Sequence, residues 1–358
     1  MKFNRLQQFN VIVFLFLAIL LLFFAFRGVD YKLIRQGFAN ANYAWVAIAL
    51  LVGGLSHIIR ALRWQLLIEP LGYKPSLLNT LGAIMIGYLA NIAFPRLGEI
   101  TRCGSLKKTD GIPFEPLVGT VIVERVFDFI CMLLLLIIVF FHRIELFGIF
   151  IKDIILVPIF HRISALFASY PLTIILAVLI LVTLLALIRR NVFGEGLHRW
   201  MSKLFHGTMS GLKTAYTIRK RFTFLLYTIL LWGLYWLMTW LLVFTTGPTS
   251  HLSPVDGLFL LVIGSMGMAV PVQGGFGAFH IITAMGLGVY GITREAGLVF
   301  AIISHESQML FVILAGLVFM CIFIARRKRK VGGWNADTST ALSTNDADFR
   351  GRTRMGVD

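Results

Sequence analysis

Long polar stretches are what this sequence has least of. No segment between the apolar runs is long and polar enough to hold a soluble catalytic domain of about 100 residues. Most enzyme classes are thereby excluded, and no enzymatic activity is expected. The three cysteines, Cys103, Cys131 and Cys321, are scattered, two of them inside apolar runs. They make neither a disulfide framework nor a metal-ligand spacing, and read as packing residues. No H-x-x-x-H or C-x-x-C pattern occurs, so neither a metal nor any other cofactor is expected. Acidic residues are scarce as well: 17 Asp+Glu stand against 33 Lys+Arg, a net charge of +16. Such an excess suits nucleic acid, but no RNA- or DNA-binding module is readable. The basic residues sit beside apolar runs, which is the positive-inside pattern and an attraction to anionic headgroups. The partners expected are membrane lipids, anionic ones above all, and no nucleic acid.

What is present is hydrocarbon. The chain is 58% hydrophobic with a mean hydropathy of +0.84, and several runs reach the roughly 20 residues needed to cross a bilayer. The expectation is an all-α, polytopic membrane protein of a bacterial cytoplasmic (inner) membrane. Lys2 and Arg5 precede a run from Phe9 to Phe26 that is too long for a signal-peptide core, so a retained first span with a cytoplasmic N-terminus is expected. After an external loop, Arg27 to Tyr43, a second span runs from Ala44 to about Ile68. Arg60, Arg63 and Trp64 near its inner end suit the headgroup level, where long basic side chains snorkel. Further spans are read at Leu117 to Phe141, around Pro171 to Ile188, at Phe222 to Thr246 and at Glu295 to Ala325. Between the fourth and fifth spans, near residues 195–215, Leu197, Trp200, Met201, Leu204, Phe205, Met209 and Leu212 recur at helical spacing. Either an interfacial amphipathic helix or a connector packed on protein fits that pattern. Arg326 to Lys330 is a basic cytoplasmic cluster, and the polar tail from Val331 to Asp358 has a disordered composition.

Two stretches interrupt this plan. Ile86 to Arg102 reads I-G-Y-L-A-N-I-A-F-P-R-L-G-E-I-T-R, and Ile263 to Ala278 reads I-G-S-M-G-M-A-V-P-V-Q-G-G-F-G-A. Both run from Ile-Gly to a proline and then turn polar or glycine-rich. Broken backbone at membrane depth survives only where protein or a watery cavity satisfies it. Paired broken segments in two halves of a chain point to a transporter site. Each half then holds spans and one hairpin, at Leu78 to Ser105 and at Val255 to Tyr290. Six spans plus two Pro-broken re-entrant hairpins, about eight helices, make an inverted-topology repeat of residues 1–141 and 142–325, followed by the cluster and tail at 326–358. Two complete tilted spans in place of the hairpins fit the same pattern.

Charged residues at this depth need a reason, since one at a helix centre costs about 2.5–3.5 kcal/mol on insertion scales. Glu124 and Asp128 share one helical face, about 10 Å into their span, a depth that matches the hairpin carrying Arg96 and Glu99. Arg96, Glu99, Arg102, Glu124, Arg125 and Asp128 are therefore expected as one cluster, three acids against three bases. It is either a salt-bridge network that holds the hairpin or a site whose guanidinium forks bind an anionic headgroup. On the other hairpin, Gln273, Gly274, Gly275 and Gly277 make either an anion-binding N–H loop or a tight glycine turn. His280, His305 and Glu306 are candidates to meet beside it, as a proton relay or substrate contact. Asn91 and His57 read as interhelical hydrogen-bond glue.

At these residues the sequence resembles the lysylphosphatidylglycerol synthetase transmembrane-region family, also called the flippase-like domain family. The likeness rests on R-A-L-R-W at Arg60 to Trp64, N-I-A-F-P-R-L-G-E-I-T-R at Asn91 to Arg102, V-E-R-V-F-D at Val123 to Asp128 and P-V-Q-G-G-F-G-A-F-H at Pro271 to His280. It implies a multi-pass protein built from the part that, in two-domain members, moves aminoacylated phospholipid between leaflets. Other relatives accompany glycolipid, polyprenyl-linked sugar or hopanoid pathways. Two departures count: the sequence holds no aminoacyl-transferase domain, so lysyl transfer is not inherited, and His280 stands where an acidic residue is expected. The function expected is a flippase-like lipid or lipid-linked headgroup translocase. The alternative is a non-transporting membrane partner of a lipid-modifying synthase or glycosyltransferase.

Overall fold

The computed structural model describes residues 19–94, 97–150, 218–270 and 272–352, with Phe16 and Lys152 besides. The span expected around 171–188, the helix near 195–215 and half of the first span lie outside these residues, as do Pro95, Arg96 and Pro271. Among the described residues the protein is all-α, with no strand.

Helix starts follow local chemistry. Asp30 accepts from the Lys32 amide to open α1 (Tyr31–Ala39), and Asn42 accepts from Ala44 to open α2 (Tyr43–Ile68). Ser76 caps α3 (Leu77–Ala93), which is followed by α4 (Leu97–Asp110), α5 (Phe114–His142) and the short α6 (Ile144–Ile149). After α7 (Arg221–Val243), α8 (Pro254–Ala269) opens on a capping box between Ser253 and Asp256, with Pro254 in its first turn. Then come α9 (Ala278–Gly288) and α10 (Arg294–Arg352). Tyr43–Leu71, Arg221–Val243 and Arg294–Arg326 are long and apolar enough to cross a membrane, and α5, at 29 residues, matches them in length.

Two sequence expectations change. The loop from Arg27 to Tyr43 contains α1, which buries Ile34 and sets Gly37 against Val299 of α10. The tail expected to lack structure is helical backbone as far as Arg352, since a helix nucleated upstream propagates without a new nucleus.

Both broken stretches are hairpins. In the first, α3 and α4 fold back on each other so closely that a Cβ on Gly87 would lie 2.8 Å from the Gly98 carbonyl oxygen. Asn91 Oδ1 accepts from the Gly98 amide at 2.6 Å and so joins the two arms, as expected of that side chain. In the second, Gly267 lies against the Phe279 backbone and Gly264 against its ring. Its turn holds a short 3-10 segment, Gln273–Gly275, and Gly274 and Gly275 within it and Gly277 just after it all take positive φ. Side chains at those angles are strained, so the turn requires glycine.

The hairpins come from opposite ends. The open end of α3–α4 lies with the start of α7 and the Arg326 region of α10, where Arg326 reaches Asn79. That end carries Lys74, Lys107, Lys108, Lys220 and Arg326. The open end of α8–α9 lies beside the far end of α5, where Arg143 pairs with Asp256 at 3.0 Å. The tips meet: Gln273 Nε2 donates to the Ala93 carbonyl at 3.2 Å. One apolar core, with Trp64, Leu67, Ala83, Leu106, Leu117 and Phe224, fills the basic end. Another, with Val46, Val139, Leu242, Phe259 and Leu298, fills the opposite end. Outward faces stay apolar, as at Leu51, Phe141, Ile229 and Leu314, which is the surface a bilayer requires.

Candidate functional site

Between those two cores lies a cavity of about 930 Å3. Long helices lead through it from one core to the other. On α2 the wall is Leu50, Gly53, Ser56, His57 and Arg60; on α5 it is Arg125, Asp128, Phe129 and Met132; on α7 it is Trp232, Tyr235 and Met238. Tyr88, Asn91 and Glu99 come from the first hairpin, and Met268, Gly274 and Gly275 from the second. The cavity is thus set where both chain breaks occur.

The charge on its wall is organised around Glu124, which is fully buried. Arg60 Nε and Nη2 reach Glu124 Oε1 at 2.8 and 2.7 Å, and Arg102 Nη1 reaches Oε2 at 2.9 Å. Arg63 Nη2 lies 2.7 Å from Asp128 Oδ1 and 3.4 Å from Glu124 Oε1. Arg60 also donates to the hydroxyls of Tyr88 at 2.9 Å and Tyr235 at 3.2 Å. Arg102 lies over the Trp64 ring at 4.7 Å, and the Trp64 indole donates to Thr120 at 3.0 Å. A cation over a desolvated indole gains energy that a hydrogen bond to water would otherwise supply.

Of the six residues expected to cluster, Arg102, Glu124, Arg125 and Asp128 do so. Glu99 reaches the same cavity, and Arg96 lies outside the described residues. Arg60 and Arg63 are a correction. They do not snorkel at headgroup level but are buried at 6% and 0% exposure, with Trp64 also at 0%. Positions 60, 63 and 64 fall on one helix face, and that face points at α4 and α5 rather than outward. The signal available in the sequence was that spacing combined with the Glu124 and Asp128 pair. The charge count changes with it: four described arginines surround Glu124 and Asp128, an excess of base rather than a balance.

Not every group in the site is saturated. Arg125 is 45% exposed at its side chain and touches Glu124 and Asp128 only at 3.8 Å, the longest contacts in the network. Glu99 Oε2 is buried with no hydrogen-bond partner among the described residues. His57 is not interhelical glue through its Nδ1, which has no such partner; its ring packs against Tyr88 and Phe311. Buried polar atoms left in this state are what a bound polar group or water satisfies.

The family of the lysylphosphatidylglycerol synthase TM region matches residues 11–316. The chain belongs to that family. With its apolar helices, membership makes it an integral membrane protein. A UPF0104 membrane protein of Methanocaldococcus jannaschii is 32% identical over 121 residues, 33% of this chain and 34% of that protein. A glycosyltransferase, AglD, of Haloferax volcanii is 28% identical over 123 residues, 34% of this chain and 20% of that protein. The chain therefore spans about a third and a fifth of these curated relatives. No solved structure matches.

On the second hairpin the expected meeting of His280, His305 and Glu306 occurs. Glu306 Oε1 lies 3.2 Å from His280 Nε2 and 3.1 Å from His305 Nδ1. His305 Nε2 contacts the Gly274 carbonyl at 2.8 Å, and the Gly277 amide donates to His280 Nδ1 at 3.2 Å. The Gly275 and Phe276 amides are taken by Val272 and Gln273 within the turn. Of the two forms open to this segment, the turn is the tight glycine one, with few amides left for an anion.

Proposed function

We propose that the protein is a flippase-like translocase for an anionic lipid or lipid-linked headgroup. The headgroup crosses through the cavity while the tails stay in the bilayer. The observation that carries it is the position of that cavity, between two apolar cores and at the meeting point of two oppositely directed hairpins. Arg125, exposed and held only at 3.8 Å, is the guanidinium free to fork onto a phosphate oxygen pair. Arg60 and Arg102 supply positive field behind it, and Glu124 and Asp128 keep them paired when no headgroup is present. Glu99 competes for Arg125 and so favours release; Arg96, three residues away, joins this set from sequence alone. Gly274 and Gly275 close the opposite wall, and Gln273 of the same turn ties it to Ala93 of the first hairpin. Residues 1–141 and 142–325 act as two oppositely oriented halves that expose the cavity alternately. The basic end faces the cytoplasm of a bacterial inner membrane, with both termini there. No chemical step, lysyl transfer included, is assigned to the chain.

The test is exchange of a headgroup-labelled anionic lipid in proteoliposomes. Exchange well above protein-free vesicles, reduced at least tenfold by Arg125→Ala in a normally folded protein, supports the proposal. Rates equal to protein-free vesicles overturn it. A second reading is favoured by one observation, the similarity to a glycosyltransferase: the chain holds a lipid for a partner enzyme of lipid or glycan metabolism. It predicts a stable co-purifying enzyme and no exchange by the isolated protein.

A further inference from the structure

The three side chains beside the second hairpin tip have a proton count that their contacts dictate. A carbonyl oxygen only accepts, so the 2.8 Å contact from His305 Nε2 to Gly274 requires hydrogen on Nε2. An amide only donates, so the Gly277 contact requires a bare Nδ1 on His280, whose hydrogen then sits on Nε2 and points at Glu306. That leaves His305 Nδ1 facing Glu306 Oε1 at 3.1 Å. With a neutral His305 and an ionised Glu306, two lone pairs would face each other there. The contact closes only if one more proton lies between them, on Nδ1 or on Oε1. With that proton the triad has no net charge, the state that burial in a low-dielectric interior favours. Both imidazoles are buried, at 1% and 3% exposure, while the Glu306 side chain is 39% exposed.

We infer that His280, His305 and Glu306 form a proton-binding site whose bound proton holds the Gly274 tip in place. Proton release turns the Nδ1–Oε1 contact repulsive, and the ring that moves is the one bonded to the Gly274 carbonyl. The tip it frees is the one that reaches across to Ala93 through Gln273. The proton leaves to water through Glu306, and no other reactant is needed. A metal ion fits less well, although the three ligand atoms lie within 4.8 Å of one another. Coordination through His280 Nε2 would move its hydrogen to Nδ1, directly against the Gly277 amide hydrogen.

Among the described residues, other ionisable groups facing this region are few. The hairpin α8–α9 and its turn add none near the tip. From α2, His57 packs on Phe311 one and a half turns beyond Glu306 on α10. Across the cavity stand Glu99 of α4, Arg60 of α2 and Arg125 and Asp128 of α5, with the phenols of Tyr88 and Tyr235. His57 is the described imidazole outside the triad nearest to it, so its signal must be separated from those of His280 and His305.

The existence of the site is independent of the translocase reading; only the consequence for transport rests on it. The experiment titrates the full chain in lipid nanodiscs with ring-15N-labelled histidine, alongside infrared detection of protonated carboxyl, from acid to alkaline pH. Signals are assigned with His57→Gln, His280→Gln and His305→Gln. The expected result is an extra proton at neutral pH, seen as a His305 imidazolium or as a carboxyl band that Glu306→Gln removes, and His280 protonated on Nε2. Neutral histidines beside an ionised Glu306 throughout, or a stoichiometric bound zinc ion, overturn the inference. The second arm is labelled-lipid exchange against pH, where a one-proton step changes the rate by at most about tenfold per pH unit. Loss of that dependence in Glu306→Gln, but not in His57→Gln, supports the coupling. Exchange that is pH-independent while the proton is observed overturns the coupling. Absence of exchange at any pH with the proton present sinks the translocase reading and leaves the proton site standing.

Discussion

Replacing Glu124 by glutamine tests the organisation of the site most directly. The carboxylate is fully buried and takes three arginines at 2.7 to 3.4 Å. Glutamine keeps the shape but removes the charge, and its amide hydrogens must face Arg60 or Arg102. Asp128 then remains as the acid of the described network, in contact with Arg60, Arg63 and Arg125 but not with Arg102. Removing one partner of a buried pair costs about 3–5 kcal/mol, because the remaining charge stays desolvated. Here Arg63 and Arg102 keep two nitrogens each without a hydrogen-bond partner even in the intact network, so little slack exists to rescue them, and the upper half of that range is expected. Denaturation of the purified protein in detergent gives the loss. A double-mutant cycle with Arg102→Met then isolates the pair: the double variant should be more stable than the sum of the singles by about 1–3 kcal/mol. If Glu124→Gln denatures like the unaltered protein, and the cycle shows strict additivity, the central carboxylate does not hold these arginines and the account of the site fails.

Arg125→Met should cost less than about 1 kcal/mol of stability, since that side chain is half exposed and loosely paired; Arg63→Met, at a fully buried position, should cost several times more in the same denaturation assay. Gly98→Ala forces a methyl group into the Gly87 carbonyl and to within 2.6 Å of Asn91 Nδ2. Since backbone cannot retreat as a side chain can, a loss of about 1–3 kcal/mol is expected, and an unchanged stability would argue against a close α3–α4 hairpin. Gln273→Ala removes the tip-to-tip hydrogen bond at 3.2 Å, worth about 1 kcal/mol. If the joined tips are the barrier to transport, it raises labelled-lipid exchange; a fall in rate would mean that Gln273 contacts the headgroup instead.

Much of this was legible from local pattern. The ends of α2, α5 and α7 fall within a few residues of where hydropathy alone puts them. Hydrophobic length and capping residues act over one turn and need no partner. The two hairpins announce themselves through a proline after an apolar run, because the break is local chemistry. Glu124 and Asp128 stand out for the same reason: a charge in a long apolar helix demands a partner wherever the helix ends up. The amphipathic α1 went unread within its loop, since nine residues beside longer runs give a weak periodic signal.

Partnership is another matter. Counting residues from a span end gives the depth of Arg60 and Arg63 but not which way they point. From depth alone they look like headgroup anchors; packing against α4 and α5 makes them the centre of the site. The meeting of His280 and His305, 25 residues apart in the chain, and the contact of Gln273 with Ala93 likewise depend on how two hairpins dock. The sequence by itself determined where helices lie, where they break and that charge is buried among them, because each follows from energies summed over neighbouring residues. Only the tertiary structure decided which charges meet, that bases outnumber acids there, and that both breaks open onto one cavity. Those outcomes depend on rotation and contact between distant elements, which no run of neighbouring residues encodes.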